Sequence, residues 1–178
     1  MATASLASTP VAVARRLSRG AAIMALAGIG FVGYGLLFLV QNFTGFLELG
    51  ISHAEVDVGR ADIQRFSPSL YHYVSHLHIA LAGFIAATGV AVAALAWFGV
   101  RRGQLWAWVT AVVVPVVALG VALPAHYPWH LDTLGHLGLI YADTVLFCVG
   151  AVLAAAGLRA SRGPVWRPGG GSSNAGVR

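Results

Sequence analysis

Four stretches of the chain are each apolar for about 20 residues, the length that a helix needs to cross a hydrocarbon core about 30 Å thick. Backbone polar groups inside a bilayer must be satisfied within the protein, and a helix does this within a single segment. The sequence therefore predicts an all-α fold, a four-helix transmembrane bundle. The predicted spans are residues 21–40, 77–100, 105–123 and 137–158, within a membrane domain of residues 21–162.

The composition indicates lipid as the main solvent and argues against a nucleic-acid partner. Only 10% of the residues are charged and 58% are hydrophobic, so the charged fraction is far below that of a soluble domain. The net charge of +5 comes from arginine alone, because the chain has no lysine. The arginines gather at the ends of the predicted spans, which is typical of a topological signal and not of a nucleic-acid-binding patch.

The arginines also predict the orientation of the chain. Nine of the eleven lie before the first span, between the second and third spans, or after the fourth, whereas the other two connections hold Arg60 and Arg65 together with most of the acidic residues. The positive-inside rule then places both termini, residues 1–20 and the tail 163–178, in the cytoplasm of a plasma-membrane protein. All seven histidines fall on the outer side. The tail is rich in Gly, Pro and Ser, so it is predicted to be disordered.

Three histidines lie just before the second span, in the stretch YHYVSHLHIA. His72 and His76 share a helix face, so both imidazoles could reach one metal ion. For His72 and Tyr73, interfacial positions at the lipid headgroups are at least as good an explanation. His78 lies about 200° around the helix from His76 and shares a face with Tyr71. At the edge of the apolar run, His78 is predicted to have a polar role inside the membrane.

A second group of histidines lies around the start of the fourth span. His126 and His130 are interleaved with prolines, which predicts a loop. Asp132, His136 and Asp143 fall at spacings that place them on one face of the fourth helix. A carboxylate four residues from a histidine can orient the imidazole and fix its tautomer, as around many metal sites. The alternative is a polar stripe that pairs helices without any ligand.

Asp143 is predicted to lie about two turns into the fourth span, where an ionised carboxylate costs roughly 2.5–3.5 kcal/mol. No arginine lies within the predicted spans. The carboxyl therefore needs a histidine, a tyrosine such as Tyr34 or Tyr141, a bound cation, or a proton. These requirements make Asp143 a candidate for proton handling. The other candidates for proton handling or for orienting a ligand are Asp132, Tyr71 and Tyr141.

Small residues in the first two spans predict that the helices approach each other closely. They include Gly28, Gly30 and Gly33 in the first span and Gly83 and Gly89 in the second.

Three stretches of the chain resemble a known type of membrane protein. SPSLYHYVSHLHIALAGFIAATG, WFGVRRGQLWAW and ALPAHYPWHLDTLGHLGLIY are similar to small four-span integral membrane proteins of prokaryotes, of the actinobacterial and archaeal type, that carry no assigned activity. The resemblance implies a compact four-helix fold. It implies no catalytic residue.

The leading functional prediction is a site for a transition metal or a haem b on the outer side of the bundle. The ligand candidates are His72, His76, His78, His126, His130 and His136. Asp132 would contact a ligand histidine, without binding the metal itself, and so orient the imidazole. Imidazole suits zinc, copper, iron and nickel alike, and for haem the best pair on different helices is His78 with His136. A redox or electron-transfer role would follow.

Two further hypotheses need no cofactor. Histidines with an ordinary pKa near 6.5 would form a pH-responsive surface or, together with Asp143, a proton path. A polar stripe that only holds helices together would suit a structural or assembly subunit, beside a partner membrane subunit or a second copy of the chain. The sequence selects no reaction and no catalytic residue.

Overall fold

The computed structural model describes residues 10–162, and within that range the protein is helical with no strand, which confirms the predicted all-α bundle. The predicted disorder of the tail 163–178 lies outside the described residues. The helices are α1 Pro10–Thr44, α2 His53–Val56, α3 Arg60–Phe66, α4 Pro68–Ala94, α5 Leu105–Ala122 and α6 Leu134–Ser161. The four long helices, α1, α4, α5 and α6, are long and apolar enough to cross a membrane, as a multi-pass membrane protein requires.

Local chemistry sets where the long helices begin. The hydroxyl of Ser67 accepts a hydrogen bond from the backbone N–H of Leu70 at 3.2 Å, and Pro68 occupies the first turn of α4. Thr133 caps α6 in the same way and accepts from the N–H of His136 at 3.3 Å. Side-chain oxygens in these positions satisfy helix N–H groups that have no partner within the helix. Two of the four long helices thus begin at capped residues.

The first helix lies between α4 and α6 and packs along both of them. Small residues make this possible: a Cβ added to Gly28 would lie 2.7 Å from the backbone nitrogen of Ala93 on α4, and one added to Gly150 would lie 2.7 Å from that of Met24. Such distances leave no space for a larger side chain. Gly33, by contrast, has no neighbour within 4 Å of an added Cβ, so only part of the small-residue pattern serves helix packing.

The main cluster of buried apolar residues lies in one half of the bundle. We call this half, which contains Pro10 and Ser161, the terminal end, and the opposite half, which contains residues 45–67 and 123–133, the histidine end. Every member of the main core cluster belongs to the terminal end: Leu17, Ala21, Met24, Ala25, Ala96, Val100, Ala107, Ala111, Ala151, Ala154 and Leu158. The fifth helix joins this core through its first turns, where the indole N–H of Trp108 donates to the carbonyl of Ala151 on α6 at 3.0 Å.

Large apolar side chains cover the outside of the long helices. Phe84 on α4, Val121 on α5 and Val152 on α6 are each more than two-thirds exposed. In water such a surface would be unfavourable, whereas in a bilayer it contacts lipid tails of the same polarity. The exposed surface and the helix lengths together describe a protein embedded in lipid.

Candidate metal site

Three side chains from three separate parts of the chain meet at the histidine end. Glu48 comes from the connection after α1, His126 from the turn between α5 and α6, and His136 from the first turn of α6. Each offers one possible ligand atom, and these atoms all lie within 4.8 Å of one another. We call these three residues the Glu48 cluster. The cluster could hold a metal ion.

The proton on His136 is placed by a backbone carbonyl. His136 is 1% exposed, and its Nδ1 lies 2.7 Å from the carbonyl oxygen of Leu49. A carbonyl oxygen can only accept a hydrogen bond, so Nδ1 must carry a proton and donate it. In the neutral imidazole Nε2 is then unprotonated and presents its lone pair, which is the form that binds metals.

The lone pair of His136 is directed toward a carboxylate. Nε2 lies 3.2 Å from Oε2 of Glu48, yet it makes no well-aligned hydrogen bond with any residue that the structure describes. A neutral imidazole nitrogen and a carboxylate oxygen are both acceptors, so at this distance they repel each other unless a cation or a second proton lies between them. The buried atom therefore lacks a partner that the protein alone supplies in the neutral state.

His126 is held in the same tautomer as His136. Its Nδ1 lies 2.9 Å from the carbonyl oxygen of Ala122, one turn earlier in the chain, and must donate to that oxygen. Its Nε2 is then the nitrogen left for a ligand. The rings of His126 and His136 lie 5.1 Å apart between centroids and are inclined by 36°, so two backbone carbonyls orient two adjacent imidazoles.

The surroundings of Glu48 favour its charged form. Burial opposes the charge. When His136 carries its second proton, its hydrogen bond and positive charge, together with positive charge on His78 and His126, outweigh burial and hold the pKa of the Glu48 carboxyl below its ordinary value. The side chain of Glu48 is 30% exposed. An ionised carboxylate beside two nitrogen lone pairs is a donor set that attracts divalent cations.

A sharp turn after α1 brings Glu48 to α6. Phe46 has a left-handed backbone with φ of 72°, and Gly50 has φ of 79°. Phe46 is buried and stacks on Tyr71 of α4 at 4.8 Å between ring centroids. Gly50 lies directly against the backbone of Gly135, with no space for a Cβ. The connection thus folds back across the histidine end, with Glu48 and Leu49 facing His136.

The first histidine group does not join the Glu48 cluster. His72 and His76 are exposed. The ring of His78 packs against Phe38 at 5.3 Å and Phe46 at 5.6 Å between centroids. His78 is close enough to Glu48 to favour its negative charge, but it contributes no ligand atom to the cluster.

The predicted position of Asp132 in the second group must be corrected. Asp132 is exposed and precedes α6, which begins after the Thr133 cap. It therefore does not share a face of α6 with His136, and the Leu49 carbonyl supplies the orienting contact instead. His130 is exposed, with a left-handed backbone at the end of the turn, and is not part of the cluster.

The remaining candidates lie apart from the cluster. Tyr71 is buried beneath the guanidinium of Arg60, which lies 5.3 Å from its ring centroid, and it serves the packing of the connection. The hydroxyl of Tyr141 lies 3.3 Å from that of Tyr127. Asp143 packs against α1 at Gly30, and no hydrogen bond reaches it from residues 10–162.

Glu48 is the residue that sequence reasoning missed. It lies in the stretch FTGFLELG, where the sequence analysis counted it only as a charge on the outer side. Its partner His136 is 88 positions away in the chain, so no local spacing could join them. The available signal was a single carboxylate between apolar residues in a connection that also contains glycines.

Comparison with protein-family models, with curated proteins and with solved structures found no match for the chain. The resemblance to small four-span prokaryotic membrane proteins therefore stays a prediction. What can be said of the chain's chemistry comes from the Glu48 cluster itself.

Proposed function

We propose that this membrane protein binds a divalent transition-metal ion between Glu48, His126 and His136. The observation that supports the proposal most directly is the buried Nε2 of His136, which has no aligned hydrogen-bond partner and lies 3.2 Å from a carboxylate oxygen. An ion at this place would satisfy the nitrogen and the carboxylate together. A buried polar atom without a partner otherwise costs about 1–3 kcal/mol.

The donor set narrows the class of ion. Two imidazoles and one carboxylate are the protein ligands of several catalytic zinc sites and of non-haem iron sites, both of which keep open coordination positions. The three residues leave the remaining positions to water or to a substrate. A redox or electron-transfer role follows if the ion is iron or copper, and a binding or Lewis-acid role if it is zinc.

The cluster supports a metal ion more directly than a haem. A haem held by His78 and His136 would need a free nitrogen from each ring on opposite sides of the iron. His78 packs between two phenylalanine rings, and Nε2 of His136 faces Glu48. Both nitrogens of His136 thus already face groups other than a haem, the Leu49 carbonyl and the Glu48 carboxylate.

Metal analysis tests the proposal. The detergent-purified protein, loaded in turn with zinc, iron(II), copper(II) and nickel(II), should retain about one ion per chain by mass spectrometry. Glu48→Gln and His126→Ala each remove one ligand and should weaken binding more than about 100-fold, beyond the usual effect of losing an outer-shell partner. His72→Ala and His130→Ala are matched controls that remove exposed histidines, and they should bind as the wild type does.

Three results would contradict the proposal. One is a protein that binds none of the four ions, in which case Glu48 and His136 must share a proton instead. Another is equal loss of binding in the control variants, which would indicate adventitious chelation by surface imidazoles. The third is an absorption band of haem that His78→Ala removes and Glu48→Gln does not. Circular dichroism of each variant shows whether a loss of binding comes from a loss of fold.

A further inference from the structure

The terminal end of the bundle carries unpaired positive charge. Seven of the described arginines lie there: Arg15, Arg16, Arg19, Arg101, Arg102, Arg159 and Arg162. Of the six acidic residues in the whole chain, five lie at the histidine end and the sixth, Asp143, lies within α6. No salt bridge joins any of the seven arginines to a carboxylate within residues 10–162. Within this part of the chain, no carboxylate neutralises these seven charges.

A long apolar groove lies between α5 and α6. Its volume is about 790 Å³, and its walls include Val112, Leu119, Phe147 and Val152. It exists because α5 joins the buried core only through its first turns, where Ala107 and Ala111 are buried. Along α5 the groove extends from Trp108 to Leu123, which is about 22 Å at 1.5 Å per residue. This length exceeds half of a hydrocarbon core about 30 Å thick.

The groove continues into a small basic cavity at the terminal end. This second cavity has a volume of about 190 Å³ and is bordered by Arg159, Arg162 and Leu105. Trp108, Ala155 and Arg159 border both cavities, so the two are adjoining parts of one channel. The indole N–H of Trp108 is already bonded to Ala151, which leaves the two guanidinium groups as the hydrogen-bond donors of the small cavity.

We propose that the groove between α5 and α6 binds one anionic phospholipid, with an acyl chain along the apolar walls and the phosphate between Arg159 and Arg162. Guanidinium groups bind phosphate oxygens through paired N–H donors, and basic pockets between membrane helices on the cytoplasmic side recognise anionic headgroups. A free phosphate ion would satisfy the arginines but leave the groove empty. A lipid would fill the groove with an acyl chain and pair its phosphate with the two arginines. It would also stabilise the loosely packed α5 against α6.

Lipid retention measured by native mass spectrometry tests this proposal. The protein is equilibrated with micelles that contain equal amounts of phosphatidylglycerol and phosphatidylcholine, and the lipids that stay bound are counted. The wild type should retain one phosphatidylglycerol molecule. Arg159→Gln/Arg162→Gln should weaken retention about 30-fold, because each basic residue near an anionic headgroup strengthens binding about fivefold. The matched control is Arg101→Gln/Arg102→Gln, which removes the same charge outside the groove and should retain the lipid.

A second pair of variants tests the groove without changing charge. Gly120 borders the groove, and a Cβ added there meets no atom within 4 Å, so Gly120→Phe introduces a bulky side chain at a wall of the groove where the first added atom has open space. Gly83 on α4 is equally open and lies outside the groove, which makes Gly83→Phe the control. Gly120→Phe should reduce retention at least about 10-fold, as expected from lost acyl-chain burial, and Gly83→Phe should not.

Several outcomes would overturn the proposal. Equal retention of both lipids would remove the role of the headgroup charge. Equal loss in the two arginine variants would indicate general attraction to an anionic surface. Full retention in Gly120→Phe would show that no acyl chain occupies the groove. Displacement of the lipid by inorganic phosphate alone, in the millimolar range, would assign the arginines to a free anion.

Discussion

His136 can present a lone pair only while its Nδ1 donates to Leu49, so the residues that hold Leu49 in place matter as much as the ligands. Gly50 is the most restrictive of these residues. Its φ of 79° lies in the left-handed region, and a Cβ there would overlap the Gly135 carbonyl and lie 2.6 Å from the nitrogen of His136. Only glycine fits both requirements at low cost.

Gly50→Ala should therefore weaken metal binding without changing any ligand. The added methyl group must push the connection away from α6, and the Leu49 carbonyl moves with it. We expect a loss of affinity of about 10–100-fold, as for other outer-shell partners, and a loss of about 1–3 kcal/mol in stability. Metal titration and thermal unfolding of the purified variant measure the two effects. Gly83→Ala, at an open position inside α4, should leave metal affinity unchanged and should not lower stability, because alanine favours a helix interior more than glycine does.

The lowered pKa of Glu48 predicts the sign of a pH effect in the metal-free protein. The pKa in the folded state lies below the ordinary 4.5, so the folded state favours the carboxylate more than the unfolded state does. The contribution to stability is fully present above pH 4.5 and is lost as the pH falls through the lower, folded-state pKa. Unfolding temperatures of the wild type and of Glu48→Gln should differ above pH 4.5 and converge in more acidic solution. A difference that grows on acidification would refute this account.

The sequence identified the histidines of the Glu48 cluster but not the carboxylate. His126 and His136 were candidates because of their residue type and their place beside a predicted span. Glu48 reaches them only because Phe46 and Gly50 adopt left-handed conformations that reverse the chain. Such a reversal depends on what the connection packs against, and a local sequence pattern does not contain that information.

The position of α1 between α4 and α6 depends on small residues that allow the backbones to approach. A Cβ at Gly89 would lie 2.5 Å from the carbonyl oxygen of Gly28. Without a strong hydrophobic force between helices in lipid, such close packing is a main source of association. Gly33, by contrast, faces open space. Composition alone therefore does not show which glycines allow two helices to pack closely.

Gly28→Leu and Gly33→Leu should separate the two kinds of glycine. Gly28→Leu forces α1 away from α4 and should destabilise the bundle by at least about 1–3 kcal/mol, the usual cost of overpacking. Gly33→Leu adds the same atoms toward the space beside α1 and should be close to neutral. Unfolding of the two variants in mixed detergent micelles compares them directly. Similar losses in both would mean that the α1–α4 contact is not as close as described.

Helix beginnings were predictable because their causes are local. The start of α4 has such a local cause in two adjacent residues, the Ser67 cap and Pro68 in the first turn. The start of α6 was harder, because the spacing of Asp132, His136 and Asp143 suggested one continuous helical face. Thr133 caps the helix one residue after Asp132, so the first member of that face lies outside the helix.

On the scale of the whole molecule, the histidines and most of the acidic residues occupy one end and most arginines the other. The positive-inside rule predicts that the arginine-rich terminal end faces the cytoplasm. The Glu48 cluster would then meet ions and protons from outside the cell. The direction of the bundle in the membrane thus decides which compartment supplies the site.

Cysteine labelling tests this orientation. Cys148 is the single cysteine of the chain, so Cys148→Ala gives a background without thiols. In that background, His130→Cys should react with a membrane-impermeant maleimide in intact cells, whereas Ser161→Cys should react only after the membrane is permeabilised. Both positions are exposed. The reverse pattern would place the histidine end in the cytoplasm.

The uneven distribution of the buried core has a consequence for hydrogen exchange. Because the core cluster lies at the terminal end, amides there should exchange only through global unfolding, whereas those of residues 45–52 and 126–136 should exchange through smaller local openings. A metal bound by the Glu48 cluster would add its binding free energy to those local openings first. The ion would thus slow amide exchange at the histidine end more than at the terminal end. Within a single helix such as α6, the free energy of opening measured by exchange would differ between the two halves.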